Sequence, residues 1–123
     1  MSTQSYQDLD VWQRAMTLAE KDYAITALIL KSEMFGLTNQ IRRASSSVPA
    51  NIAEDWARHN NNEFAYFLRI AHGSLRELES HLILSSRIKF CDPISVNPIL
   101  EDITIISKQL LSLMRHLKGD QYA

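Results

Sequence analysis

Four histidines, one cysteine and a scatter of carboxylates are the groups in this chain best suited to metal or acid–base chemistry. A di-iron site in a helical bundle needs inward-facing Glu-x-x-His pairs. Glu54, Glu63, Glu77, Glu79 and Glu101 are each followed at the third position by something other than His. Glu77 and His81 stand four apart, a spacing that on a helix suits an exposed hydrogen-bonded pair. His59, His72, His81 and His116 show no ligand spacing, and Cys91 stands alone. There is no glycine-rich phosphate loop, nucleophile elbow or dinucleotide fingerprint. Ser45-Ser46-Ser47 has no base beside it in sequence. The expectation is a protein that is not an enzyme and holds no cofactor or metal.

The stretch most capable of specific contacts is instead Gly36 to Asp55, GLTNQIRRASSSVPANIAED, rich in Ser, Ala and Asn with two adjacent arginines. At about 100° per residue, Leu37, Ile41, Ala44, Val48 and Ile52 form one apolar stripe. Gln40, Arg43, Ser47, Asn51, Glu54 and Arg58 form a polar stripe that flanks it. Polar groups at the edge of a core are costly unless hydrogen-bonded, so this stripe is expected to meet partners on another helix or another subunit. Trp56 falls at the opposite edge of the apolar stripe, where large aromatics serve either the core or a subunit contact.

The remaining segments must position that helix. With 123 residues, 46% hydrophobic and 22% charged, and only three glycines and three prolines, the chain reads as one all-α domain over residues 1–123. Asp8 is expected to cap a first helix over about 9–30, with Leu9, Trp12, Met16, Ala19, Tyr23, Thr26/Ala27 and Leu30 facing inward. Gly36 marks the next turn. The central helix is expected from Leu37 or Thr38 to Arg58, kinked at Pro49, with Ser45 or Ser46 serving the carbonyl that the proline leaves free.

A polar turn, Arg58 to Glu63, carries Asn60 and Glu63 as a capping box. A third helix follows to Ile88 with Phe64, Phe67/Leu68, Ala71, Leu75, Leu78 and Leu82 inward, and Gly73 as a notch for a neighbouring backbone. The fourth helix is expected to be capped by Ser95 with Pro98 in its first turn, to continue through Ile99, Ile103, Ile106, Leu110, Leu113 and Leu117, and to end at Gly119. Short connections between such helices predict an antiparallel up-down-up-down four-helix bundle.

Formal net charge is −1. Residues 42–76 hold five arginines and no lysine against three acidic groups, less basic excess than a dedicated nucleic-acid binder shows. Arg42, Arg58, Arg69 and Arg76 are the candidate contacts if RNA or DNA is bound. MSTQSYQDLD has no basic region followed by an apolar run, and no run of about 18 apolar residues occurs, so a cytoplasmic protein without a membrane span is expected.

Several runs of this sequence carry a resemblance. They are Leu9-Asp10-Val11-Trp12, Glu33-Met34-Phe35-Gly36-Leu37, Gln40-Ile41-Arg42-Arg43-Ala44, Ser47-Val48-Pro49-Ala50-Asn51-Ile52-Ala53-Glu54, Ile70-Ala71-His72-Gly73-Ser74-Leu75 and Glu77-Leu78-Glu79. In these the chain resembles the bacterial 23S rRNA intervening-sequence proteins and the related accessory variability determinants of diversity-generating retroelements. Asp55 departs from the family's usual glycine after Ala-Glu, and Leu30-Lys31 stands near the place of a common Phe-Pro. The resemblance implies a four-helix bundle assembled into a ring-shaped homopentamer without enzymatic activity. It also implies contact with nucleic acid or a reverse transcriptase, as in the retroelement relatives, and no small-molecule substrate. The subunit interface would draw on Gln40, Arg43, Ser47, Asn51, Glu54 and Trp56.

Overall fold

The computed structural model describes residues 5–29, 31–58 and 65–122, without the side chains of Met34 and 117–122. Among the described residues there are four long helices and no strand: α1 (Asp10–Thr26), α2 (Asn39–Ala57), α3 (Tyr66–Arg87) and α4 (Pro93–Tyr122). Helix α1 packs on α2 and α4, and α3 packs on the same two helices, the α2–α3 contact being the most extensive. The Asn60/Glu63 capping box, His59, Phe64 and Leu30 lie outside the described residues, as does the side chain of Leu117.

Three of the four apolar stripes are where periodicity puts them. Ile41, Ala44, Val48 and Ile52 of α2 are buried, with Leu37 packed against them. Leu68, Ala71, Leu75, Leu78 and Leu82 of α3 face Ile99, Ile103, Ile106 and Leu110 of α4 across the core. Helix α1 is rotated from the expected phase. Its buried residues are Val11, Ala15, Leu18, Asp22, Ile25 and Thr26, whereas Met16 and Tyr23 are exposed and Trp12 and Ala19 half-buried. The first helix also ends at Thr26, earlier than its apolar pattern.

Helix ends differ from the sequence reading for local reasons. Asp8 lies in a short 3₁₀ turn, Tyr6–Asp8, capped by Ser5, and the residue before α1 is Leu9, which makes no side-chain cap. Between α1 and α2 the chain turns through Gly36, whose φ of −102° and ψ of −112° lie outside the helical region. Helix α2 passes through Pro49 as one helix. Neither nearby serine serves the carbonyl the proline frees: the Ser45 hydroxyl goes to Asp22, and Ser46 Oγ donates to the Arg43 carbonyl at 3.4 Å.

Helix α3 ends in a Schellman arrangement. Lys89 adopts φ +67°, and the N–H groups of Phe90 and Lys89 donate to the carbonyls of Ser85 and Ser86. Asp92, not Ser95, starts α4, accepting from the Ile94 N–H at 2.9 Å with Pro93 as the first helical residue. Pro98 therefore lies inside α4, and the helix continues past Gly119.

The start of α3 is capped from another helix. Ala65 precedes it in the left-handed region, φ +58°, without a side-chain cap of its own. The Asp55 carboxylate of α2 accepts from the backbone N–H groups of Phe67 and Leu68 instead. Burial raises its pKa while those amides and Arg69 pull the other way. A carboxylate at a helix N-terminus satisfies orphan donors and opposes the positive end of the helix dipole. Asp55→Ala is expected to lower unfolding free energy by about 1 kcal/mol in urea titration, the usual worth of such a cap. An unchanged midpoint would show the amides are served by water at no cost.

Candidate interaction surface on α2

Helix α2 carries three polar zones, one toward α1, one toward α3 and one facing outward. The α1 side is built on Asp22, which is fully buried. Ser45 Oγ donates to Asp22 Oδ2 at 2.6 Å, while Asp22 Oδ1 has no partner. One turn further along α1, Thr26 Oγ1 donates to the Asp22 carbonyl at 2.7 Å and accepts from Arg42 Nε at 2.9 Å. The Arg42 guanidinium lies over the Tyr23 ring, 4.7 Å from its centre, within the range of a cation–π contact. Burial lifts the Asp22 pKa from 3.8 to about 7, and Asp102 adds to the rise. Ser45 and Lys21 act against it. Lys21 itself pairs with Asp102 of α4 at 2.8 Å.

The α3 side joins half-buried polar groups. The hydroxyls of Ser47 and Ser74 are 2.8 Å apart. Asn51 Nδ2 donates to Ser47 Oγ at 2.9 Å and to the Ser47 carbonyl at 2.8 Å. The expected partners of the polar stripe are thus found, in part, on a neighbouring helix of the same chain. Gly73 is not the notch. It is exposed, and a Cβ there would meet nothing within 4 Å; the residue that meets α2 is Ser74.

The outward zone differs in composition. Gln40 and Arg43 are exposed, and Glu54 is bound by Arg58 at 2.7 Å. Along the middle of this face run Ser46, Ala50, Ala53 and Ala57, all small and at least partly exposed. Trp56 is half-buried on the opposite flank.

The four candidate nucleic-acid arginines do not converge. Arg42 turns toward α1. Arg58 pairs with Glu54 and lies 5.3 Å from the Phe67 ring centre. Arg69 is exposed on α3 near Asp55. Arg76 turns toward α4, where Nη2 donates to Ser107 Oγ at 2.7 Å and Nη1 lies 3.1 Å from Glu79. His72 Nε2 also contacts Ser107 Oγ, at 2.9 Å. Arginine can only donate, so the Ser107 proton is free to point at His72. That arrangement wants a neutral imidazole, and burial, then Arg76, lowers the His72 pKa accordingly. Glu77 and His81 form the expected surface pair at 3.4 Å. Among the described residues no three His, Cys, Asp or Glu side chains cluster as a metal site, and no helix is long and apolar enough to cross a membrane.

Asp22 was invisible to periodicity because an acidic residue ordinarily marks a solvent face. The signal was present nonetheless: Val11, Ala15, Leu18, Asp22, Ile25 and Ile29 step by fours and threes, with one carboxylate inside the run. A folded-state pKa above the unfolded value means the native chain holds this proton longer than the unfolded one. Its contribution is complete below about pH 4 and declines as pH rises toward 7. At 1.36 kcal/mol per unit the decline amounts to about 4 kcal/mol at most. Asp22→Asn, which cannot ionise, is expected to lose less stability than the parent chain between pH 5 and pH 8 in thermal melts. Parallel pH profiles for the two proteins would refute the buried proton.

A family model described as 23S rRNA-intervening sequence protein matches residues 7–112. No curated protein matches the chain. The matched span takes in α1, α2, α3 and most of α4, including the Asp22–Ser45 contact, the Ser47–Ser74 contact and the Asp55 cap. On that coverage the chain belongs to the 23S rRNA-intervening sequence protein family.

Proposed function

We propose that this chain is a non-enzymatic, cytoplasmic scaffold that assembles with itself, as a homopentamer, through the outward face of α2. The bundle underlying this reading is antiparallel, up-down-up-down. Inverse registers support that path: Asp22 meets Ser45 while Thr26 meets Arg42, and Asp10 meets Gln109 while Lys21 meets Asp102.

The observation that carries the assembly is the row Ser46, Ala50, Ala53 and Ala57. A helix face meant for water usually carries long charged side chains. Small side chains instead let another backbone approach closely, and Gln40, Arg43, Asn51 and Glu54 beside them supply hydrogen-bonding groups for a polar rim. Trp56 lies on the far flank and is left to the monomer's own packing. Homo-oligomers with closed symmetry are the common form of soluble assembly, and the subunit number follows from the family resemblance.

Recognition of RNA or DNA through Arg42, Arg58, Arg69 and Arg76, or of a reverse transcriptase, is the competing reading, and the family's name points toward RNA. Arg42, Arg58 and Arg76 already spend guanidinium donors on Thr26, Glu54 and Ser107, which weakens it.

The decisive measurement is light-scattering mass after size exclusion, with Ala50→Arg as the variant. A parent mass of about five chains that falls toward one chain in Ala50→Arg supports the scaffold. A single-chain mass for the parent protein, or an Ala50→Arg variant of unchanged mass, overturns it. The same runs with a structured RNA at low and high salt decide the competing reading, since phosphate contacts weaken steeply with salt.

A further inference from the structure

Two buried groups on facing helices each lack what the other can supply. On α1, Asp22 is fully buried and its Oδ1 has no partner. On α2, Pro49 has no N–H, so the Ser45 carbonyl one turn earlier is without its helical donor. Both Ser45 and Pro49 are buried, and Ser45 is the residue that meets Asp22. Buried carbonyls are rarely left unpaired, and the hydroxyls of Ser45 and Ser46 go elsewhere.

We propose that Asp22 Oδ1 carries a proton and donates it to the Ser45 carbonyl, and that this proton is a latch: while it is held α1 is fastened to α2, and its loss releases α1. The proposal concerns the inner seam of the bundle and is independent of the self-assembly proposed above.

The two residues are complementary at two points. Ser45 presents a hydroxyl donor and, because of the proline, a vacant acceptor. A neutral carboxyl presents one acceptor and one O–H donor. Ser45 Oγ donates to Oδ2 at 2.6 Å, which leaves the acid proton to Oδ1, beside the backbone of the same serine. The register agrees. Asp22 meets Ser45 while Thr26 meets Arg42, so the next turn of α1, toward Leu18, runs beside Val48 and Pro49. The Ser45 carbonyl points along α2 into that interval. Once ionised, the carboxylate sets one acceptor against another, and the desolvation of a full charge is left uncompensated.

The surrounding charges do not replace the proton. Lys21 on the same helix pairs with Asp102 of α4 at 2.8 Å. Arg42 of α2 is bound to Thr26 at 2.9 Å. On α3, Arg76 stands near this level, since Ser47 meets Ser74, but it is turned to Ser107 and Glu79. Burial and Asp102 both favour the neutral acid, which the folded chain keeps up to about pH 7, above the ordinary value of 3.8. The latch is therefore closed below that pH and opens as pH rises through it.

The test follows the Asp22 carboxyl carbon by NMR and amide exchange along α1 by mass spectrometry, across neutral pH and in the full chain. Pro49→Ala returns an N–H to the Ser45 carbonyl and suits a helix interior. The Asp22 midpoint is expected to fall in this variant by about one pH unit, a tenfold weaker hold on the proton. Asp22→Asn keeps a donor and an acceptor in the same shape without a titrating proton. Protection of α1, corrected for the intrinsic pH dependence of exchange, is expected to fall above the midpoint in the parent and to stay level in Asp22→Asn. An unmoved midpoint in Pro49→Ala assigns the proton to another acceptor, such as a buried water, and overturns the proposal. Equal loss of α1 protection in the parent and in Asp22→Asn overturns it as well. If circular dichroism shows Pro49→Ala to be unfolded, the exchange comparison decides alone.

Discussion

A carboxyl group sealed between two helices decides how α1 and α2 meet. Asp22 has no exposure, and its Oδ2 accepts a hydrogen bond from the Ser45 hydroxyl across the interface. Burying such a group without a donor costs several kcal/mol, more if it is ionised. Only one rotation of α1 brings Asp22 to a hydroxyl on α2, and that rotation buries Val11, Ala15, Leu18 and Ile25 while sending Met16 and Tyr23 outward. The same setting aligns Thr26 with Arg42 and brings the Arg42 guanidinium over the displaced Tyr23 ring. An apolar residue at position 22 could slide against Ala44 or Val48 with little penalty. A carboxyl group cannot.

The α2–α3 contact works by different means. Its polar groups are half-buried hydroxyls and an amide, Ser47, Ser74 and Asn51, which tolerate water and cost little to place. What pins the two helices longitudinally is Asp55, whose carboxylate serves the first free amides of α3. Once α1 and α3 are set against α2 in this way, α4 closes the bundle through apolar packing, supported by Lys21–Asp102 and by the Ser107 hydroxyl shared between His72 and Arg76.

These interior bonds also decide which polar groups stay at the surface. Arginines that looked interchangeable in sequence are divided by geometry: Arg42 and Arg76 are drawn into opposite seams of the bundle, and Arg58 is tied to its own helix. Arg43 keeps its guanidinium at the surface beside a row of alanines.

Residue spacing alone determined that the chain is helical and placed the buried rows of α2, α3 and α4, because Leu, Ile and Val at 3.6-residue intervals leave one stable face to bury. The resemblance carried in Gln40–Glu54 likewise pointed to the family now matched over residues 7–112. Spacing could not set the phase of α1, since Asp22 reads as solvent-facing until a donor is known to lie opposite it. Nor could it show that Asp55 caps a helix that begins eleven residues further on. It placed a notch at Gly73, whereas the bundle turns that glycine outward and brings Ser74 to α2. In each case the deciding quantity is the free energy of a polar or small group in the company of residues distant in sequence, and only the packed structure brings that company together.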